Sequence, residues 1–181
     1  MIAARAEVPF TEWSRFNAPD CQDYLRSLGC DLGLSLGNGY IPKSVFTIPR
    51  LGMLNVHHEL LPAMRGAQSV IWQIYNGSSR TGFTIHRIDA GIDTGAIVRV
   101  VEMPILFGPT LAETVGRTYE SLVRRSGEVL AEVLSGADLV SRASPQSHGA
   151  SYTTPSLMQY LRMLRQHARL ARQDRSGDHR G

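Results

Sequence analysis

NVHHELLPAMRGAQ, residues 55–68, sets an amide, two imidazoles and a carboxylate ahead of Leu-Leu-Pro and ends near a glycine. The run that leads into it, LGMLNVH (residues 51–57), reads as a short strand. Side chains two apart on a strand share a face, so Asn55 and His57 point one way at its carboxyl end. His58 then lies on the opposite face or turns away with the loop. In open α/β sheets ligands gather at the carboxyl ends of strands. An amide beside an imidazole at that place can hold a carbonyl oxygen as it becomes negative, and one such donor is worth about 3 kcal/mol in a transition state. The imidazole also needs a carboxylate to support its proton. DAGIDTG, residues 89–95, supplies Asp89 and Asp93 in a Gly-rich loop.

Outward from this stretch the chain alternates strands and helices. APDCQDYLRSLG (18–29) reads as a helix stopped at Gly29, and CDLGLSLG (30–37) alternates like a strand. AQSVIWQIYNG (67–77) has helical spacing closed by Asn76-Gly77. TGFTIHRI (81–88) and AIVRVVEMP (96–104) are β-branched strands on either side of the Asp-Gly loop. Thr110 and Glu113 stand three apart as a capping box. Apolar residues then recur at Leu111, Val115, Leu122, Val129 and Val133, which marks a long helix packed on a sheet. A last helix is expected from Thr154-Pro155 into an Arg-rich tail. The class is α/β, an open, mostly parallel sheet flanked by helices.

At 181 residues the chain suits one domain with a sizeable core, and 43% hydrophobic with 19% charged residues is ordinary for a globular protein. Apolar runs are too short to span a bilayer and the first residues lack a secretory core, so a cytoplasmic setting is expected. Cys21 and Cys30 give neither a disulfide framework nor a metal knuckle. Residues 156–181 hold six Arg and two Asp, +4 of a net +3, which leaves −1 for the body. A basic terminal segment is more often a solvated helix face than a nucleic-acid site.

Singly, each polar residue has an ordinary structural role: a satisfied Asn or His at a strand end, an Asp in a turn. His57, His58 and His86 lack a metal-ligand spacing, so no metal is expected. GNGYIP (37–42) lacks the third glycine of a dinucleotide fingerprint. In order, however, N-V-H-x-x-L-L-P-x-x-x-G, T-G-x-T-I-H and D-x-G-x-D-T-G resemble the catalytic domain of the folate-dependent formyltransferases, over roughly residues 18–136. Members of that family act on methionyl-tRNA, glycinamide ribonucleotide or amino sugars, and some hydrolyse formyltetrahydrofolate.

The resemblance implies a Rossmann-like fold and transfer of a formyl group from 10-formyltetrahydrofolate to a primary amine. Asn55 and His57 would polarise the formyl group, and Asp93, standing before Thr-Gly, would be the acid; Asp89 is the weaker candidate. The pterin pocket would be walled by Leu36, Gly37, Asn38, Gly39, Tyr40 and Ile41, by Glu59, Leu60, Leu61 and Pro62, and by Ile88, Asp89 and Ile92. By the same resemblance Gly66 would open the helix over 67–77. The family's opening βαβ unit has no counterpart here, which implies a truncated catalytic domain over residues 1–150, followed by a C-terminal helix and basic tail over residues 151–181. An exposed sheet edge then favours homo-oligomers. Glu59 replaces the usual Ser, His58 doubles the histidine, and the tRNA-gripping C-terminal domain has no counterpart, so tRNA lacks support as a partner. A hydrolase and an inactive folate-binding remnant are the alternatives.

Overall fold

The computed structural model describes residues 9–37, 39–66, 68–136 and 142–177. Ala18 leads into α1 (Pro19–Ser27), whose proline fills the first turn, where no backbone donor is needed. β1 (Gly33–Ser35), the short α2 (Lys43–Phe46) and β2 (Met53–His57) follow. Burial alternates along β2: Leu54 and Val56 face the core while Asn55 and His57 face away, as the period of two requires. After the loop come β3 (Met64–Gly66) and α3 (Ile71–Tyr75). β4 (Arg80–Arg87), β5 (Ile97–Pro104), α4 (Leu111–Ser135), β6 (Ala150–Tyr152) and α5 (Leu157–Ser176) complete the order.

The main sheet runs β1-β2-β4-β5, and β3 pairs with β6 in a second, two-stranded sheet. Both β1–β2 and β3–β6 are parallel, whereas β4 is antiparallel to each neighbour. The link from Arg87 to Ile97 has no room for a crossover helix, so β4 and β5 can only fold back on one another. α/β layering therefore stands, with its parallel character confined to β1–β2 within the main sheet. Among the described residues β1 is an edge strand, and Leu34 within it and Leu36 just after it are exposed.

β4 is buried from Thr81 to His86 because helices and strands cover both its faces. Phe83 and Ile85 meet Leu54, Val56, Leu122, Val129 and Met163 in one core. Thr110 caps α4 by accepting the Glu113 N–H at 3.2 Å; the reciprocal box occurs at α5, between Ser156 and Gln159. α5 thus starts two residues later than expected, because the Ser156 hydroxyl takes the Gln159 N–H. Met163, His167 and Leu170 seat it on the body, and Arg162 lies over the Tyr75 ring at 4.3 Å.

α3 is shorter than its sequence pattern. Val70 sits at φ 70°, and the Ile71 N–H bonds the Ser69 carbonyl at 2.8 Å, a γ-turn of the rare, strained hand. Gly66 does not open this helix. It ends β3 at φ 92°, where a Cβ would meet the Tyr152 carbonyl oxygen at 2.2 Å.

Candidate active site

Asn55 and His57 leave β2 on its partly open face and enter a cleft of about 830 Å³ at the strand's carboxyl end. Antiparallel register sets His86 of β4 opposite Asn55. The Asn55 Nδ2 donates to His86 Nε2 at 3.1 Å, while His86 Nδ1 donates to the Arg87 carbonyl at 2.8 Å. His86 therefore orients the Asn55 amide through Nε2 while its own ring is fixed at Nδ1.

His57 is tied at its other end. Its Nε2 stands 2.7 Å from the Met64 carbonyl, which accepts only, so Nε2 carries the proton. Nδ1 of the neutral ring is then a bare acceptor, 3.6 Å from Asp93 Oδ2. Burial lowers the proton affinity of His57 below its ordinary value; the Asp93 charge and the Met64 carbonyl oppose this without reversing it. Asp93 itself enters from the Gly-rich loop at φ 52°, and its Oδ2 accepts the Gly66 N–H at 2.9 Å. Burial alone would raise its carboxyl, yet the neighbouring His86 and His57 rings, at 3.5 and 3.6 Å, and the Gly66 N–H together hold it below the usual range. The arrangement is a neutral imidazole facing an ionised carboxylate, with an amide beside them.

Of the residues expected to wall a folate pocket, Gly37, Gly39, Tyr40, Ile41, Ile88, Asp89 and Ile92 line this cleft. Asn38 lies outside the described residues. Leu36 is 61% exposed and outside the lining, since its neighbour Ser35 takes the inward face of β1. The Leu-Leu-Pro turn is not a wall either. Leu61 is buried in the core, Leu60 packs at Gly82, and the Pro62 carbonyl backs onto Gly149. Leu61–Pro62 is a cis peptide. Asp89 shapes its own loop by accepting the Gly91 N–H and the Thr94 hydroxyl.

Glu59 also turns away from the cleft. Its carboxylate is buried and accepts the Val70 N–H at 2.5 Å and the Gln73 amide at 2.9 Å, so it clamps the γ-turn. Burial pushes its carboxyl up, against the pull of those hydrogen bonds. His58 leaves the strand face as the register demands: Nε2 reaches Ser126 Oγ at 3.2 Å and the ring stands edge-on to Tyr119. Burial, then the neighbouring His57, lowers its proton affinity.

Sequence reasoning passed over His86 as a site residue, although it closes the T-G-x-T-I-H stretch. It also missed Gln146, whose amide donates to the Asp93 and Gly95 carbonyls at 3.1 and 2.6 Å. Ser151, Tyr152 and Thr153 line the cleft from β6 and the residue after it. Among the described residues no group of three or more His, Cys, Asp or Glu is set to hold a metal ion, and no helix is long and apolar enough to cross a membrane.

Comparison with known proteins places this geometry. The Formyl transferase family profile matches residues 6–134. The chain is 36% identical over 154 residues to methionyl-tRNA formyltransferase of Chromohalobacter salexigens, covering 83% of this chain and 46% of that protein. It is 35% identical over 133 residues to the Legionella pneumophila enzyme of the same name, covering 73% of this chain and 41% of that one. Among solved structures, the formyltransferase PseJ of Anoxybacillus kamchatkensis, with tetrahydrofolate and a UDP-linked formamido sugar, superimposes with TM-score 0.64 at 25% identity over 88% of this chain and 82% of its own. Phosphoribosylglycinamide formyltransferase of Streptococcus pneumoniae gives 0.55 at 25% identity, over 73% and 78%. The chain belongs to the formyltransferase family and carries its α/β fold. It spans less than half the length of the curated relatives it matches.

Proposed function

We propose that this chain binds 10-formyltetrahydrofolate in the cleft and passes its formyl group to a primary amine. The observation that carries the reading is the 3.6 Å approach of His57 Nδ1 to Asp93 across a cleft that Asn55 also lines. The cleft suits a reduced folate. Tyr40 and Ile92 stand at it 63% and 65% exposed, apolar side chains that a flat pterin and its aryl extension would cover.

When bound, the folate supplies an electrophilic formyl carbon. Asn55 spends one Nδ2 hydrogen on His86, and its second serves the formyl oxygen as charge grows there. Neutral His57 takes the proton that the attacking amine sheds, on Nδ1, because Nε2 is committed to Met64. Asp93, ionised beside it, stabilises the resulting imidazolium, which then donates toward the same oxygen or the departing nitrogen. His86 and the Gly66 N–H hold the two acting groups in place.

The acceptor belongs to the class of primary amines. Curated relatives are named for methionyl-tRNA, and the PseJ crystal holds a UDP-linked formamido sugar. Calorimetry with 5-formyltetrahydrofolate, a stable mimic of the donor, should give saturable heat and a raised Tm. Tetrahydrofolate should then appear from 10-formyltetrahydrofolate when methionyl-tRNA or a UDP-linked amino sugar is added. Absence of heat and of any Tm shift at millimolar ligand would overturn the folate site. Turnover without a formylated amine would make the chain a hydrolase.

A further inference from the structure

Asp93 is held in an unusual way. Its backbone lies in the left-handed region, φ 52°, which costs a residue with a side chain roughly 1–2 kcal/mol. A turn of that kind aims a side chain only if something outside it fixes the backbone. Asp89 sets the first half of the loop, through Gly91 and Thr94. The second half is fixed from far along the chain. Gln146 Nε2 uses both hydrogens, one on the Asp93 carbonyl at 3.1 Å and one on the Gly95 carbonyl at 2.6 Å. Its Oε1 accepts Arg65 at 3.0 Å, and the same guanidinium nitrogen donates to the Ser147 carbonyl at 2.8 Å.

The segment that carries Gln146 is seated closely on the site. Ser144 exchanges two backbone hydrogen bonds with Ile97, just past the Asp loop. A Cβ on Gly149 would stand 1.6 Å from the Pro62 carbonyl oxygen, so only glycine fits there. β6 then pairs with β3, where Gly66 offers its N–H to Asp93. The carboxylate of Asp93 and the backbone that carries it are thus gripped from one face by β3 and from the other by Gln146. The family profile, which ends at residue 134, does not reach Gln146.

The geometry points to Gln146 as a positioning residue: it locks the 93–95 turn so that the Asp93 carboxylate meets His57, His86 and the Gly66 N–H together, with Arg65 fixing the orientation of its amide. The inference rests on Asp93 acting on His57 as proposed above. A purely structural Gln146 would lower stability and leave the site's electrostatics and the balance of kcat and KM unchanged.

Gln146→Met in the full chain keeps length and volume and removes all three hydrogen bonds. NMR titration of the histidine ring protons reads the result directly. Asp93 and His86 are the titratable groups facing the His57 ring, with His58 next to it in the chain; of these only Asp93 raises the His57 midpoint. Once the carboxylate is free to swing away, the His57 midpoint should fall further below that of the wild type. In turnover, kcat should fall on the order of tenfold to a hundredfold while KM moves little, the pattern of a misplaced catalytic group. Arg65→Gln should give a smaller shift of the same sign. If Gln146→Met fails to fold, Arg65→Gln carries the test. Unchanged His57 midpoint and kcat in whichever variant folds would overturn the proposal. Should the wild type neither bind folate nor turn over, the functional reading fails, yet a lowered His57 midpoint would still establish the grip on Asp93.

Discussion

The doubled histidine at positions 57 and 58 gives the sharpest test of the site, because two adjacent rings of one chemistry sit in two different environments. His57 has Nε2 on the Met64 carbonyl at 2.7 Å and Nδ1 open to the cleft beside Asp93. Ala at 57 removes the proton carrier, and general-base catalysis by one positioned side chain is worth on the order of 100-fold to 10,000-fold. It also strips Asp93 of the charge it steadies. Turnover should fall about a thousandfold with KM for the folate moved far less. His58 has a hydrogen bond to Ser126 Oγ at 3.2 Å and an edge-on contact with Tyr119. The first contributes about 1 kcal/mol to stability and the second about 0.5–1.5 kcal/mol, so His58→Ala should lose roughly 2 kcal/mol of folding free energy. Its turnover, measured well below its own Tm, should stay within about tenfold of the wild type. The assay is single-turnover release of tetrahydrofolate, paired with urea unfolding of both variants. Equal rate losses, or a larger loss at His58, would refute the assignment of His57 and the strand register beneath it.

Other expectations follow from the same contacts. Burial lowers the proton affinity of His57, His58 and His167 below 6.5. The unfolded chain therefore binds protons first as pH falls through 6.5, so stability should drop toward about pH 5 and level off above about pH 7.5, and a urea midpoint flat across that range would count against it. Asp93, held below 3.8, adds stability above that pH that is lost only in stronger acid. Glu59→Ala leaves the Val70 N–H and the Gln73 amide buried without an acceptor and should cost about 2–4 kcal/mol, whereas Glu59→Gln, with Gln73 turning its oxygen inward, should cost about 1. Equal losses in the two variants would show that the clamp on the γ-turn does not stabilise the loop. Arg165, Arg169 and Arg172 are exposed on α5, so replacing all three with Gln should leave folate turnover unchanged within about twofold. Loss of most turnover would instead require a nucleic-acid partner.

Periodicity made part of this site legible before any coordinates. A strand repeat of two puts Asn55 and His57 on one face, and that is where they lie, while His58 turns toward Ser126 and Tyr119 and lines the cleft beside the latter. The helical spacing of Leu111, Leu122, Val129 and Val133 likewise names the buried face of α4. Periodicity is silent where a residue belongs to a loop or to an element covered on both sides. Leu60, Leu61 and Pro62 read as pocket wall, but apolar residues in a turn bury wherever the core accepts them, and here it lies behind them. β4 is buried along both faces, so its sequence shows no alternation to say which way His86 points. β3 and β6 are three residues each, too short for any pattern.

What the sequence could not supply was the set of partners, because most are backbone groups brought together by the fold. His57 is oriented by the Met64 carbonyl, His86 by the Arg87 carbonyl, Asp93 by the Gly66 N–H, and the Asp93 turn by an amide 53 residues away. Backbone partners carry no residue-type signature, so no motif records them. They also couple site and scaffold in both directions. Each of these polar side chains would be costly to leave unpaired, and together they tie the Asp93 loop and the end of β2 to β3 and β4. The loops after β2 and β4 and the segment before β6 are thus ordered in part by the groups they serve. Removing one polar side chain from the cleft should loosen a loop as well as a reaction, and the histidine titrations and unfolding curves above are the measurements that separate the two.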